Sequence, residues 1–356
     1  MSTHHRPFKL AAESDALNNP FGQALSRQFA SVDIRSRISP AEYINFGAAD
    51  LILANHHGRF IKPCPGTKDY NCCGLEIIHI GLGCTLGCSY CILQGYLDSN
   101  ALVLFGNIEN VFNDLANQLA IPGARPRRFC TGEFTDSLLL EEITGTGARL
   151  VGLFARAAAG HTLELKTKTT NVRGLLELNH EGRTIVSFSV NAPEITRREE
   201  RSAPALSARL KAARQVARAG YRLGFHFDPI IRYPGWGDGY AQTVKDIFDA
   251  VPSNQIAWIS LGAFRYLPGM KDIVRRSDPK SRIMDEEFIL AEDGKMRYLR
   301  PVRVEIYQRL LAEIRSAAPE VCVYLCMESP RVWREVFGYD PGTEGLIRML
   351  DERTSG

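Results

Sequence analysis

The chain contains no apolar run of about 18 residues, so no segment reads as a membrane-spanning helix. Its opening residues, Met1-Ser2-Thr3-His4-His5-Arg6, lack the apolar stretch of a secretory signal, and the expectation is a cytoplasmic protein with no membrane partner. No Gly-x-Gly-x-x-Gly follows the first strand-like segment, which argues against a dinucleotide-binding fold. No second Cys-x2-Cys or Cys/His pair stands at zinc-ribbon distance from the first cysteine cluster. No internal repeat or low-complexity segment is visible. The net charge of +3 over 356 residues is too small to argue for a nucleic-acid partner by itself. Nine cysteines in a chain this long do not make a disulfide scaffold and fit a reducing compartment.

What the chain does have is Cys84, Cys88 and Cys91, at spacing Cys-x3-Cys-x2-Cys, directly after the strand-like run 75–80. Three thiolates on one short loop suit three irons of a [4Fe–4S] cluster, since Cys thiolate is the usual ligand for such irons. The fourth iron is left without a local ligand. In radical S-adenosylmethionine (SAM) enzymes, SAM takes that place, and its reductive cleavage yields a 5′-deoxyadenosyl radical. Gly81, Gly83 and Gly87 supply the tight turns a loop around a cluster needs. A zinc site, a disulfide and packed core thiols are the competing readings.

From residue 75 onward, strands and helices alternate. Strand-like segments at 75–80, 128–131, 163–168, 184–191, 222–230 and 255–264 are separated by helical patterns. Six such units predict an α/β fold, a partial (β/α)6 TIM barrel with an N-terminal arm and a C-terminal α/β extension. Barrels of this kind place catalytic groups on loops at the C-terminal ends of the strands, where the cysteine loop falls. The expected division is a basic arm over 1–70, a barrel over 71–265, and an insertion, helix, strand and tail over 266–356. Arg6, Lys9, Arg27, Arg35, Arg37, Arg59, Lys62 and Lys68 make the arm basic, and it reads as a solvated, partly extended segment. The polar stretch 265–300 reads as a surface excursion. Cys64, Cys72 and Cys73 read as packing residues, with a second metal site as the alternative.

The cluster loop resembles that of the radical SAM superfamily, and the wider sequence resembles the spore photoproduct lyase family. The resemblance rests on Cys84-Thr85, Cys88, Tyr90-Cys91 and Leu93-Gln94; on Thr167-Lys168; and on Phe188-Ser189-Val190-Asn191-Ala192. It continues through Ala219-Gly220-Tyr221-Arg222-Leu223-Gly224-Phe225, Pro229-Ile230, Gly235-Trp236 and Gly239-Tyr240. It implies Cys84, Cys88 and Cys91 as cluster ligands, with SAM contacts at Lys168, Ser189, Asn191, Glu133 and Thr135. Lys168 ends a strand, where a cation can neutralise the SAM carboxylate; an exposed surface lysine is the plainer reading. Glu133 could receive the SAM ammonium or cap the next helix. The resemblance also implies an external one-electron reductant of flavodoxin or ferredoxin type. The substrate it implies is nucleic acid; a small molecule or peptide worked on by a reused scaffold is the alternative.

Two departures stand out. Members of the family carry a tyrosine directly after the third cluster cysteine and a hydrogen-donating cysteine after the second strand. This chain has Ile92 at the first position and Glu133 or Phe134 at the second. Tyr90 is retained. Cys130 is close by and is expected on another face of its strand. Cys322, Tyr324 and Cys326 alternate along the last strand-like segment, so they share a face. Cys326 assisted by Tyr324 is thus the candidate relocated hydrogen donor, against the alternative of packed thiols. His226, Asp228 and Arg232 could bind a polar substrate or exchange a proton, or form a barrel-core pair.

Overall fold

The computed structural model describes residues 9–47, 50–66, 69–97, 99, 101–158 and 160–354. Arg6 and Lys68, counted in the basic arm, lie outside the described residues. Seven parallel strands form the main sheet: β1 (Glu76–Ile78), β2 (Arg128–Cys130), β3 (Thr162–Thr167), β4 (Thr184–Ser189), β5 (Arg222–Ile230), β6 (Ile256–Ala263) and β7 (Val323–Leu325). They pair in chain order. The first six are the expected barrel units. β7 adds to the edge of β6, with Ser260 beside Tyr324 and Leu261 beside Leu325. At the other edge, Ile61–Pro63 runs antiparallel to β1. The hairpin between them reaches back toward the chain leaving β7, where Asn71 and Glu328 form an isolated antiparallel bridge.

Side chains alternate along a strand and neighbours in register share a face. The registers Ile77–Cys130–Glu164 and Ser189–His226–Ser260–Tyr324 therefore define one face of the curled sheet. That face is polar and hydrogen-bonded. Glu164 lies 2.7 Å from His226 Nε2, and it accepts from Ser187 at 2.5 Å and from Trp258 at 3.3 Å. The opposite face of the strands is apolar and packs under the helices, with Leu163, Leu165, Phe188, Phe225 and Ile259 fully buried.

The N-terminal region is not an extended arm. Val32–Arg35, Lys9–Glu13, Asp50–Ala54 and Leu102–Phe105 form a parallel sheet in that order, and Gly81–Leu82 pairs antiparallel at its end. Its strands have two to five residues and bury Leu10, Ala11, Ala12 and the run Leu51-Ile52-Leu53-Ala54. Buried runs this short carry no periodicity, and alanine is a poor strand signal. The polar stretch 265–300 is likewise only partly surface. It holds a helix, Met270–Ser277, and a three-stranded antiparallel sheet. Its charges pair inward: Arg297 donates to Asp293 at 2.6 Å with both side chains 1% exposed. The end of the chain forms a helix, Gly342–Asp351, that buries Leu346 and Leu350.

The two sheets meet at one crossing. The chain leaves β1, enters the N-terminal sheet at Gly81–Leu82, and returns to that sheet at Leu102–Phe105. Gly81 opposes Leu104 and Leu82 opposes Val103. The cysteine loop is the excursion between these paired strands. A Cβ on Gly81 would lie 2.4 Å from the Val103 carbonyl oxygen, so only glycine fits there. Gly81→Ala is expected to lower stability by about 1–3 kcal/mol, the usual range for overpacking against a rigid neighbour. A urea midpoint equal to that of the unaltered chain would contradict this reading.

Candidate active site

The site is built at the C-terminal ends of the strands. Gly83 and Gly87 have φ of +89° and +63°, which glycine adopts without strain. The loop they shape is pinned on every side. Gly83 N donates to Phe134 O at 2.8 Å, Ser89 N to Glu199 O at 2.8 Å, and Ser202 N to Leu86 O at 3.0 Å. The Gln94 amide donates to Cys88 O and Ser89 O, each at 3.0 Å.

Beneath the loop lies an ion pair with no exposed surface. Glu200 and Arg209 are both 0% exposed at the side chain. Arg209 also donates to Pro204 O at 2.9 Å and to Ser189 O at 3.0 Å. The other Glu200 oxygen accepts from the Tyr90 hydroxyl. Burial and this carboxylate hold the Tyr90 phenol well above its usual pKa. Tyr90 is thus a packed, neutral support for the loop. Neighbouring Glu199 accepts from Ser89 and, at 2.8 Å, from Ser281.

Cys88 is buried, and Cys84 and Cys91 are half-buried. Burial raises the pKa of all three thiols, that of Cys88 to about 12, and nearby Lys168 opposes the rise at Cys88 and Cys91. Among the described residues no three His, Cys, Asp or Glu side chains converge on a single ion. A [4Fe–4S] cluster does not ask for convergence, because each thiolate binds a different iron. Three unpaired cysteines on one rigid loop, faced by a cation that offsets thiolate charge, fit such a cluster.

Lys168 faces this loop. Its ammonium lies 5.7 Å from the centroid of the Tyr90 ring, within cation–π range. Burial works against its charge, but Cys88 and Glu200 outweigh it and the net shift is upward. Asp136, which sequence reasoning missed, fixes its backbone by accepting from Lys168 N at 2.7 Å and from the Thr167 hydroxyl at 2.7 Å. An Asp shortly after a strand is too common to signal this role.

Other expected residues fall variously. Glu133 is exposed, and the next helix begins only at Glu141. Thr135 borders a cleft between the N-terminal sheet and the segment after β2, with Gly81, Leu102 and Asp136. Ser189 ends β4 and is 8% exposed. Asn191 is fully enclosed: it donates to Pro229 O at 3.0 Å, and its oxygen accepts from Ala192 N at 3.1 Å and from the Tyr240 hydroxyl. It holds the ends of β4 and β5 together. His226 sits 2.6 Å from Ser260 and 2.7 Å from Glu164, in the barrel core. Asp228 pairs with Arg265 through two contacts of 3.1 Å. Arg232 does not join them; its backbone N donates to the Tyr298 hydroxyl at 3.1 Å.

Ile92 is half-buried beside the loop, and the Phe134 ring stacks on His79 at 5.0 Å. Cys130 lies in register with Glu164, on the inner face and not on another one. Tyr324 and Cys326 also face inward, while Cys322 lies at the far end of β7, near Arg353, Arg315 and Arg128. The Arg265 guanidinium lies 3.9 Å from the Cys326 sulfur and 3.3 Å from the Met327 sulfur. Met327 has φ of +54°, a strained backbone for a non-glycine residue, directly after the thiol.

A parallel barrel whose first strand runs into this three-thiol loop is the architecture of a radical SAM enzyme. The sequence profile of the spore photoproduct lyase family matches residues 73–314, and the chain belongs to that family. It is 26% identical to spore photoproduct lyase of Bacillus subtilis (strain 168), over 77% of this chain and 83% of that one. It is 25% identical to the enzyme of Geobacillus sp. (strain Y412MC61), again over 77% and 83%. A solved spore photoproduct lyase complexed with dinucleoside spore photoproduct superposes with TM-score 0.78 at 22% identity, over 90% of this chain and 99% of that one. A substituted form with bound AdoMet and the same dinucleoside gives 0.79 at 21% identity, with the same coverage.

The buried pair makes a direct test. Arg209→Met leaves Glu200 uncompensated and is expected to cost roughly 3–5 kcal/mol in metal-free protein. Equal thermal stability of the variant would mean that the pair does not hold the loop.

Proposed function

We propose that this chain is a cytoplasmic radical SAM lyase acting on a nucleic-acid photoproduct, with its hydrogen-return step moved to a new residue. Cys84, Cys88 and Cys91 would hold a [4Fe–4S] cluster, and Lys168, Ser189, Asn191, Glu133 and Thr135 would receive SAM. Such a cluster, supplied with electrons by a flavodoxin- or ferredoxin-like donor, would provide the one-electron chemistry for reductive SAM cleavage and hydrogen abstraction from the substrate. The observation that carries this reading is the Lys168 ammonium facing the three-thiol loop across the Tyr90 ring.

Each protein group has a part. Lys168 neutralises the SAM carboxylate. Glu200 and Arg209 keep the loop rigid and dry. Cys326 gives a hydrogen atom to the substrate radical, since neither Ile92 nor Phe134 can. Burial, and then Asp228, raise the Cys326 pKa and keep the sulfur as S–H, the form that carries a transferable hydrogen. Arg265 beside it is neutralised by Asp228 and does not strip the proton. Relatives are solved with a dinucleoside spore photoproduct, and a lesion of that class is the proposed substrate.

Replacing all three loop cysteines by Ala should abolish iron and sulfide incorporation on anaerobic reconstitution; undiminished incorporation would sink the assignment. Lys168→Ala should keep the cluster and weaken SAM binding by about ten- to a hundredfold, the worth of one charge-assisted hydrogen bond. Unchanged affinity by calorimetry would make Lys168 a bystander. Binding to lesion-bearing DNA should fall steeply with salt. Absence of DNA binding at low salt would favour a small-molecule substrate on the reused scaffold.

A further inference from the structure

The cysteine loop, residues 81–91, opens to solvent at a single residue. Gly87 is exposed, and every other residue of that run is buried or half-buried. Gly87 directly precedes Cys88, so the surface there lies only a few bonds from one of the three thiols. Arg201 stands beside it: a Cβ on Gly87 would lie 3.9 Å from Arg201 Cβ. The Arg201 guanidinium reaches the end of the helix Met270–Ser277, donating to Ser277 O at 3.1 Å and pairing with Asp278 at 2.9 Å. The start of that helix packs on the turn after Cys91, since a Cβ on Gly95 would lie 2.9 Å from Leu267 Cδ1 and 3.1 Å from Met270 Cγ. Just beyond the helix, Ser281 donates to Glu199 at 2.8 Å, and Glu199 also accepts from Ser89. Segment 270–282 is thus fastened against the loop at three places.

This cover is strongly cationic. Residues 270–282 carry Lys271, Arg275, Arg276, Lys280 and Arg282 against Asp272 and Asp278, a surplus of three that equals the net charge of the whole chain. Asp278 is taken up by Arg201, and Arg282 by Asp285. Lys271, Arg275, Arg276 and Lys280 have no carboxylate within ion-pair distance among the described residues. All but Lys271 are exposed. Arg275 and Arg276 suit the negative end of their helix. That reason does not extend to Lys271, at the positive end, or to Lys280, beyond the helix. Tyr96, on the same single helical turn as Gly95, is 53% exposed.

We propose that this cationic face, with Gly87 and Tyr96 beside it, is the docking surface of a flavodoxin, the acidic flavin carrier that supplies the reducing electron. The inference rests on the radical reading above, which requires such a donor. A flavodoxin rims the apolar edge of its flavin with carboxylates. The unpaired cations complement that rim and steer the encounter, while the Tyr96 ring offers the flavin edge an apolar partner. Redox encounters of this kind bury less than about 1,200 Å², so one helix and its flanks are enough. One electron leaves the reduced flavin and is taken up at the iron site held by the loop; no bond forms or breaks and no proton has to move. Nucleic acid is the other polyanion such a face could hold, but it would have no use for the one opening of the cysteine loop.

Two measurements on reconstituted protein test this, using Arg275→Glu/Arg276→Glu, whose side chains are exposed and unpaired. In the first, binding of oxidised flavodoxin is followed by calorimetry at low salt. The unaltered protein should bind, less tightly as salt is raised. The double variant should bind about tenfold more weakly or worse. Equal affinity overturns the surface, as does binding of a ferredoxin in place of flavodoxin. So does a variant that loses undamaged duplex DNA while keeping flavodoxin. In the second, 5′-deoxyadenosine formed from SAM is compared with flavodoxin and its reductase, or dithionite, as the source of electrons. The variant should be about tenfold slower with flavodoxin at subsaturating concentration and unchanged with dithionite. Equal flavodoxin-driven rates overturn the docking surface alone. No 5′-deoxyadenosine from the unaltered protein with dithionite would instead overturn the radical reading.

Discussion

A carboxylate and a guanidinium with no exposed surface, Glu200 and Arg209, sit under the loop on which the chemistry depends. Burying two charges is costly unless each finds all its partners. Here they do, and the partners are the site itself: Tyr90 between two of the loop cysteines, and the carbonyl of Ser189 at the end of β4. The pair thus ties the cysteine loop to the C-terminal end of β4. It also sets the place of Lys168, whose charge rests over the Tyr90 ring.

The N-terminal sheet completes this clamp. Pairing of Gly81–Leu82 with Val103–Leu104 closes the neck of the loop, while the antiparallel hairpin from Ile61–Pro63 covers one edge of the barrel and β7 covers the other. The segment that looked like a solvated arm is therefore part of what holds the cysteines. The strained Met327 and the Asp228–Arg265 pair mark the opposite rim. Gly262 makes room there, since a Cβ on it would lie 2.6 Å from the Asp228 carboxylate.

The barrel was legible because its strands are long or strongly apolar: 222–230 and 255–264 were placed to within a residue or so of Arg222–Ile230 and Ile256–Ala263. The cysteine loop was legible because its spacing is specific. Alternation placed Tyr324 and Cys326 on one face, and the registers put that face inward. The N-terminal sheet was hidden by its brevity and its alanines. Glu200, Arg209 and Asp136 gave no local signal. Their roles come from contacts between residues up to 110 positions apart, as between Tyr90 and Glu200, and such pairs do not show in a linear pattern.

The central claim is that the three thiols hold a cluster with one iron open to SAM, with Lys168 placed to receive its carboxylate. Electron paramagnetic resonance of the dithionite-reduced, reconstituted protein tests it most directly. The account predicts the signal of a reduced [4Fe–4S] cluster whose shape changes when SAM is added. A cluster signal indifferent to saturating SAM would contradict it.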